Sequence, residues 1–256
     1  MGFEVEVEAL KVNGIYAYPK PLLSRQNLIE FRKHLDVALV YNSHVSAKAT
    51  EPPVKLQEAI TEKRWGVFAP PMAALIRAPF WFELATSFFE LAKEYFDGEF
   101  PRLYSLNAFW TKAIEGPLYM DTQAWHRDGD DRKQMTLFML GSDVPDPSEG
   151  AHLYQKGTHK ILDSDLGRNF RDAPPMDLVE SVIGPAGTVF IVDTGGLHKA
   201  IRPATKPRLL VWARFGVSNP PQSYGWDGLS PLPKVEVGDR YPINPELQES
   251  IRLVVA

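Results

Sequence analysis

The sequence predicts a mainly β fold of the sandwich or jelly-roll type, with helices packed on it. Three observations carry that prediction. From about Arg102 onward, short runs rich in Leu, Val, Ile, Phe and Trp alternate with turn residues, as in antiparallel folds built from many short strands. Before about residue 97, apolar residues recur at three-and-four spacing, the period of a helix. No internal repeat, low-complexity segment or linker-like stretch divides the 256 residues, so one domain is expected over 1–256.

The helical N-terminal part is expected over about 20–97. Ser24 has the side chain of an N-cap, and Leu28, Phe31, Leu35, Ala38 and Leu39 share one face of a helix running to about Val40. A shorter helix is expected from Val54 to Lys63. Trp81, Leu84, Ala85, Phe88, Leu91, Ala92 and Tyr95 form an amphipathic stripe, read as the core-facing side of a helix. The jelly-roll core is expected over about 102–217. Its strands are Leu103–Trp110, Gln134–Leu140, Leu178–Ile183, Thr188–Val192, His198–Ile201 and Arg208–Val217. Breakers separate them at Gly141–Gly150, Gly157, Gly184–Gly187, Gly195-Gly196 and Pro203–Pro207. A Pro-rich tail fills 218–256. Within it, Asn244-Pro245 reads as the N-cap and first residue of a short terminal helix.

Composition removes several function classes. Apolar content of 44% and charged content of 23% fit an ordinary globular chain. The net charge is −4 and no long run of like charge occurs, which argues against nucleic acid as a partner. There is no cysteine, so disulfides, thiolate zinc sites and cysteine nucleophiles are excluded. A metal would have to be held by His, Asp or Glu, ligands that suit iron, manganese or zinc. The N-terminus, Met1 to Glu8, is acidic and alternating and lacks the basic start and apolar block of a signal peptide. No apolar stretch is long enough to span a membrane. A cytoplasmic protein is the expected reading.

Of the six histidines, His34, His44, His126, His152, His159 and His198, only His126 stands in a tight pair with a carboxylate on a strand-like segment. In Trp125-His126-Arg127-Asp128, the side chains two apart point to the same face of an extended strand. His126 and Asp128 can therefore reach one ion. Downstream, an apolar strand leads through Gly195-Gly196 to His198. Two imidazoles and one carboxylate on one face leave three positions of an octahedral ion open, the arrangement of non-haem Fe(II) oxygenases. Two open positions can chelate a 2-keto acid and the third can take O2. Beyond the turn Pro203–Pro207 stands Arg208, whose fork fits the distal carboxylate of a dicarboxylic keto acid better than a lysine would. Arg202 is the second choice for this role and Arg214 the third. His159 is read as a structural or substrate-loop residue and Asp130 and Asp131 as solvated. His34 and His44 are read as structural or surface groups, and neither His152 nor His159 is needed as a further ligand.

The pieces "QAWHRDGDD", "LFMLGSDVPDPSEGAHLYQKGTHK" and "GPAGTVFIVDTGGLHKAIRPATKPR" resemble the phytanoyl-CoA dioxygenase-like group of Fe(II)/2-oxoglutarate oxygenases. The resemblance covers about Asn107 to Gly216. It implies a double-stranded β-helix (the cupin-like jelly roll), with His126, Asp128 and His198 as catalytic metal ligands. It implies Fe(II), 2-oxoglutarate and O2 as cofactor and co-substrates, with Arg208 binding the keto acid. Thr158 stands where the family often has Ser. Ala200 stands where some members have a hydroxyl that helps hold the keto acid. Asn107 and Gln123, polar residues in apolar settings just before the motif, are further candidates to contact it. Asp128 retains the carboxylate that halogenases of this superfamily replace, so hydroxylation of a small-molecule metabolite is the implied outcome. Two other readings remain: a cupin-type isomerase or hydrolase using the same triad without Arg208, and a non-catalytic jelly-roll module that binds a ligand.

Overall fold

Two side-chain periods in the sequence decide where every element sits. Where residues alternate with period two, a strand sends successive side chains to opposite faces of a sheet. Met135, Leu137 and Met139 join one apolar cluster, while the interleaved Phe138 and Leu140 join a second. Leu209, Val211 and Ala213 divide from Leu210 and Trp212 in the same way, as do Val189 and Ile191 from Phe190 and Val192. The strands read as continuous apolar runs because both of their faces are covered.

The computed structural model describes residues 2–43, 51–62, 65–113, 123–161, 169–170, 176–221 and 245–255. The chain opens with α1 (Glu4–Asn13), β1 (Ile15–Ala17), α2 (Arg25–Asp36), β2 (Leu39–Asn42), β3 (Val54–Lys55) and α3 (Leu56–Thr61). Next come β4 (Val67–Ala69), α4 (Met72–Arg77), α5 (Trp81–Ser87) and α6 (Phe89–Tyr95). The strands β5 (Arg102–Thr111), β6 (Trp125–His126), β7 (Gln134–Leu140), β8 (His152–Gln155) and β9 (Asn169–Phe170) follow. Then come β10 (Val179–Val182), β11 (Val189–Val192), β12 (His198–Ala200), β13 (Arg208–Gly216) and α7 (Pro245–Ile251). The larger sheet has the order β1-β11-β7-β13-β5-β4-β2-β3 and the smaller β10-β8-β12-β6-β9. All pairings are antiparallel. The fold is a jelly roll with the helices on the outer face of the larger sheet.

The outer cluster joins Phe31, Leu35, Trp81 and Phe82 of the helices to the outward faces of β5, β7, β11 and β13. The inner cluster, with Trp125, Leu153, Tyr154, Phe138, Phe190 and Trp212, lies between the two sheets. Ser24 caps α2 as expected, its Oγ accepting from the Asn27 amide at 3.1 Å. The helix ends at Asp36 rather than Val40, because Leu39–Asn42 pairs with β3 and β4. Sheet hydrogen bonds there outweigh a helical repeat. The stripe Trp81–Tyr95 is two helices that meet at Phe88, whose ring is nevertheless buried. The helix expected over Val54–Lys63 is shorter, since Val54 and Lys55 belong to a strand. The alternating N-terminus forms α1, with Val7 and Leu10 inward. Strand β8, between the breakers at Gly150 and Gly157, was not among the expected strands. The terminal helix begins at Pro245 as expected. His44, Asn244 and most of the Pro-rich tail lie outside the described residues. Among the described residues no helix is long and apolar enough to cross a membrane.

Leu137 is fully buried on central strand β7 and packs in the outer cluster. Leu137→Ala is expected to lower unfolding free energy by about 2–5 kcal/mol in urea titrations. A loss under about 1 kcal/mol would mean that this cluster does not hold the helices to the sheet.

Candidate metal centre

His126 and His198 come together because β6 and β12 pair antiparallel with these two residues directly opposite. Directly opposed side chains emerge on the same face, and the two imidazole centroids are 4.2 Å apart. Each ring is fixed by the same local device. The Nδ1–H of His126 donates to the Ala124 carbonyl at 2.9 Å, and that of His198 to the Gly196 carbonyl at 2.9 Å. A carbonyl only accepts, so Nδ1 carries a proton, and the neutral ring then presents its lone pair at Nε2. Both Nε2 atoms face one carboxylate: His126 lies 3.8 Å from one Asp128 oxygen and His198 lies 3.9 Å from the other. One ligand atom from each residue lies within 4.8 Å of the others, a spacing one ion can bridge. His126 and His198 are buried, and the Asp128 side chain is 10% exposed.

Asp128 is placed from both sides. Its amide donates to the Thr194 carbonyl at 2.8 Å, tying it to the turn before β12. Its own carbonyl accepts from Gln134 Nε2 at 2.8 Å, while Gln134 Oε1 accepts from the Asp130 and Asp131 amides. The carboxylate itself pairs with Arg214, at 3.2 Å. Arg214 also pairs with Asp130 at 2.6 Å, and Tyr104 donates to the same Asp130 oxygen at 2.9 Å. Arg127, on the opposite face, reaches the carbonyls of Gly195 and Ile161. Gly196 is required by close approach, since a Cβ there would lie 2.0 Å from the Tyr154 hydroxyl.

Several expectations change at this point. Asp130 is buried inside the Arg214–Tyr104 network instead of solvated. Asp131 accepts from the amides of Val217 and Ser218 and from the Ser218 hydroxyl, so it closes the end of β13. Arg214, the third choice for binding a keto acid, is engaged by Asp128 and Asp130. Sequence reasoning missed this triad of Arg214, Asp130 and Tyr104. The one available signal was the even spacing that puts Arg214 on the same face of β13 as Arg208.

Arg208 is buried at the start of β13. Its Nη1 donates to the Gly150 carbonyl at 2.6 Å, and its Nε has no partner among the described residues. No carboxylate among the described residues pairs with it. Burial pulls its pKa down to about 10. Gly150 has φ of 103°, and a Cβ there would meet Arg208 Cδ at 2.7 Å, so only glycine lets the guanidinium lie where it does. Arg202, the second choice, is half-buried in the turn after β12. Asn107 is buried on the face of β5 shared with Phe109, and its Oδ1 accepts from the Ala108 amide. Gln123 is buried just before β6. His159 is not in the ligand group; it lines a cleft with Lys11, Tyr95 and Asp193 that contains none of the three ligands. His34 sits on α2 against the Ala74 carbonyl.

No family model and no curated protein matches this sequence. Solved structures with a similar fold include the non-haem alpha-ketoglutarate-dependent carbocyclase SnoK from nogalamycin biosynthesis. It is 17% identical, with 84% of this chain and 83% of that chain covered and a TM-score of 0.55. Another is the epimerase SnoN in complex with Fe3+, alpha-ketoglutarate and nogalamycin RO, at 20% identity, 83% and 82% coverage and a TM-score of 0.54. A third is HygX from Streptomyces hygroscopicus with nickel, 2-oxoglutarate and hygromycin B bound, at 14% identity, 85% and 88% coverage and a TM-score of 0.55. At these identities the likeness is one of fold.

Burial, then the nearby charge of His126, lowers the His198 pKa from 6.5 to about 4. Burial also holds His152 well below its ordinary value. Unfolding therefore takes up protons between those pH values, and stability rises with pH across the window. In chelator, the metal-free protein is expected to lose stability as pH falls from about 6.5 towards about 4, and His198→Leu should flatten that slope. Melting curves of both proteins from pH 4.5 to 7.5 check this; parallel slopes would refute it.

Proposed function

We propose that the protein is a non-haem Fe(II)- and 2-oxoglutarate-dependent oxygenase that hydroxylates a small-molecule metabolite, as a single cytoplasmic domain of the phytanoyl-CoA dioxygenase-like family. The observation that carries the reading is the pairing of two features in one interior. Two imidazole nitrogens converge on a carboxylate, and a buried guanidinium with no counter-charge among the described residues lies within the same jelly roll. The residues fit the groups. Imidazole and carboxylate suit Fe(II), and the depressed pKa of His198 keeps it in the neutral form a metal requires. A buried cation lacking an anion is costly, and a dicarboxylic keto acid supplies that anion. Neighbours of similar fold carry iron or nickel together with the same keto acid, which supports the choice.

In this reading His126, Asp128 and His198 hold the metal on one face. Bound Fe(II), with the keto acid and O2, supplies the oxidation of an unactivated C–H bond, with release of succinate and CO2. Arg208 would pair with the distal carboxylate of the bound keto acid. Arg214 pairs with the Asp128 oxygen that faces His198, and so orients the carboxylate between the two imidazoles. Phe109, Phe138 and Trp212 exclude water from the interior around these groups. Asn107 and Gln123 are assigned to the keto-acid side of the pocket. The fold neighbours include a carbocyclase and an epimerase, so product analysis must decide hydroxylation. The retained Asp128 is what favours it over halogenation.

Anaerobic Fe(II) with 2-oxoglutarate should give a weak visible charge-transfer band, and O2 should then yield succinate. Absence of both would leave a cupin-type hydrolase or isomerase, or a ligand-binding module. Arg208→Ala should weaken 2-oxoglutarate binding by roughly tenfold to over a hundredfold with metal content unchanged. Arg214→Met should instead lower Fe(II) affinity by about 10–100-fold, as loss of an outer-shell partner does elsewhere. Metal titration by calorimetry separates the two; equal effects on metal and keto acid for both variants would overturn these roles.

A further inference from the structure

His152 is a buried polar group beside the site that the roles above leave unexplained. It opens β8, on the interior face, two residues beyond the Gly150 carbonyl that receives Arg208. Its ring is enclosed by Phe138 at 5.0 Å, Phe190 at 5.2 Å and His198 at 5.4 Å between centroids. It is 3% exposed, and its Nε2 has no hydrogen-bond partner among the described residues. The residue opposite it in register is Ala200, which offers no side-chain polar atom. A buried imidazole nitrogen left unpaired among aromatic rings is costly, so the arrangement calls for a polar occupant. His152 is not part of the ligand group formed by His126, Asp128 and His198. It lies between His198, on which it stacks, and Arg208, whose charge it feels.

We propose that His152 is a positioning residue for the keto acid: neutral, it donates from Nε2–H to the carboxylate that Arg208 pairs with. This rests on the oxygenase reading and adds a second anchor to it. The aromatic enclosure and the neighbouring Arg208 cation disfavour a second positive charge on the ring. A neutral donor beside a fixed cation orients the carboxylate without adding a second buried charge. The hydrogen bond comes from the strand facing Ala200, so the smaller sheet and β13 grip the ligand from two sides.

The test titrates the Fe(II)-loaded protein under argon with 2-oxoglutarate and with 2-oxopentanoate, which lacks the distal carboxylate. Binding is read from the visible band. His152→Leu should raise the Kd for 2-oxoglutarate by about tenfold to a hundredfold, the worth of a hydrogen bond to a charged group. The Kd for 2-oxopentanoate and the Fe(II) content should stay at their wild-type values. His152→Gln, whose amide nitrogen reaches the position of Nε2, should restore most of the selectivity. His152→Asn, whose amide falls short, should behave like Leu and covers the case in which His152→Leu does not fold. Equal weakening of both keto acids, loss of iron, or unchanged 2-oxoglutarate binding in the Leu and Asn variants overturns the proposal. Wild-type protein that binds neither keto acid overturns the oxygenase reading itself.

Discussion

Everything at the interior of this protein depends on one backbone register: His126 opposite His198 across β6 and β12. A slip of one residue between these strands would turn one imidazole to the opposite face from the other. Within that register each ring is held by its own strand, through a hydrogen bond from Nδ1 to the carbonyl two residues earlier. That bond fixes the Nδ1–H tautomer for the neutral ring and turns both Nε2 atoms towards the same carboxylate. The arrangement is unfavourable alone, because two lone pairs and a carboxylate oppose one another in a buried space. It persists because the strands, the Gly195-Gly196 turn and the Gln134 clamp fix the backbone independently of the three ligand side chains. Such stored opposition is relieved by a cation.

Strand β13 then sets the charge balance. Arg208 and Arg214 occupy the same face at opposite ends of the strand. Arg214 is neutralised within the protein by Asp128 and Asp130. Arg208 has a carbonyl for company and no acid among the described residues. The interior is thus closed electrostatically at one end and open at the other. A dianion with one end at a metal and the other at a guanidinium matches that polarity, whereas a neutral ligand would leave Arg208 uncompensated. This asymmetry favours the keto-acid reading over a cupin-type enzyme that needs the triad alone.

Much of this was legible from the chain. Strand β7 was read residue for residue, and β5, β11, β12 and β13 to within one residue at either end, since apolar runs bounded by Gly and Pro leave few alternatives. The H-x-D pair and the histidine after the glycine turn were identifiable because period two and a known ligand set constrain them together. What escaped depended on tertiary pairing. Leu39–Asn42 continues a good helical face and is a strand because β3 and β4 lie beside it. His152–Gln155 follows a run of Asp, Pro and Gly, and only pairing with β10 and β12 makes it β8. Asp130 looks solvated beside Gly129 and is buried because Arg214 and Tyr104 arrive from strands distant in sequence.

The two apolar clusters explain how the fold tolerates so polar an interior. The outer cluster joins the helices to one face of the larger sheet and contains none of the site's polar groups. The inner cluster is interrupted by His126, His152, His198 and Arg208, whose burial opposes folding. Hydrophobic stabilisation scales with apolar area removed from water, and the outer cluster supplies it without reference to the site. The inner face is therefore free to be shaped by binding rather than by stability. That division also accounts for the pattern of mismatches between sequence and structure. Departures on the outer face are shifts of helix ends, whereas those on the inner face change which charge meets which.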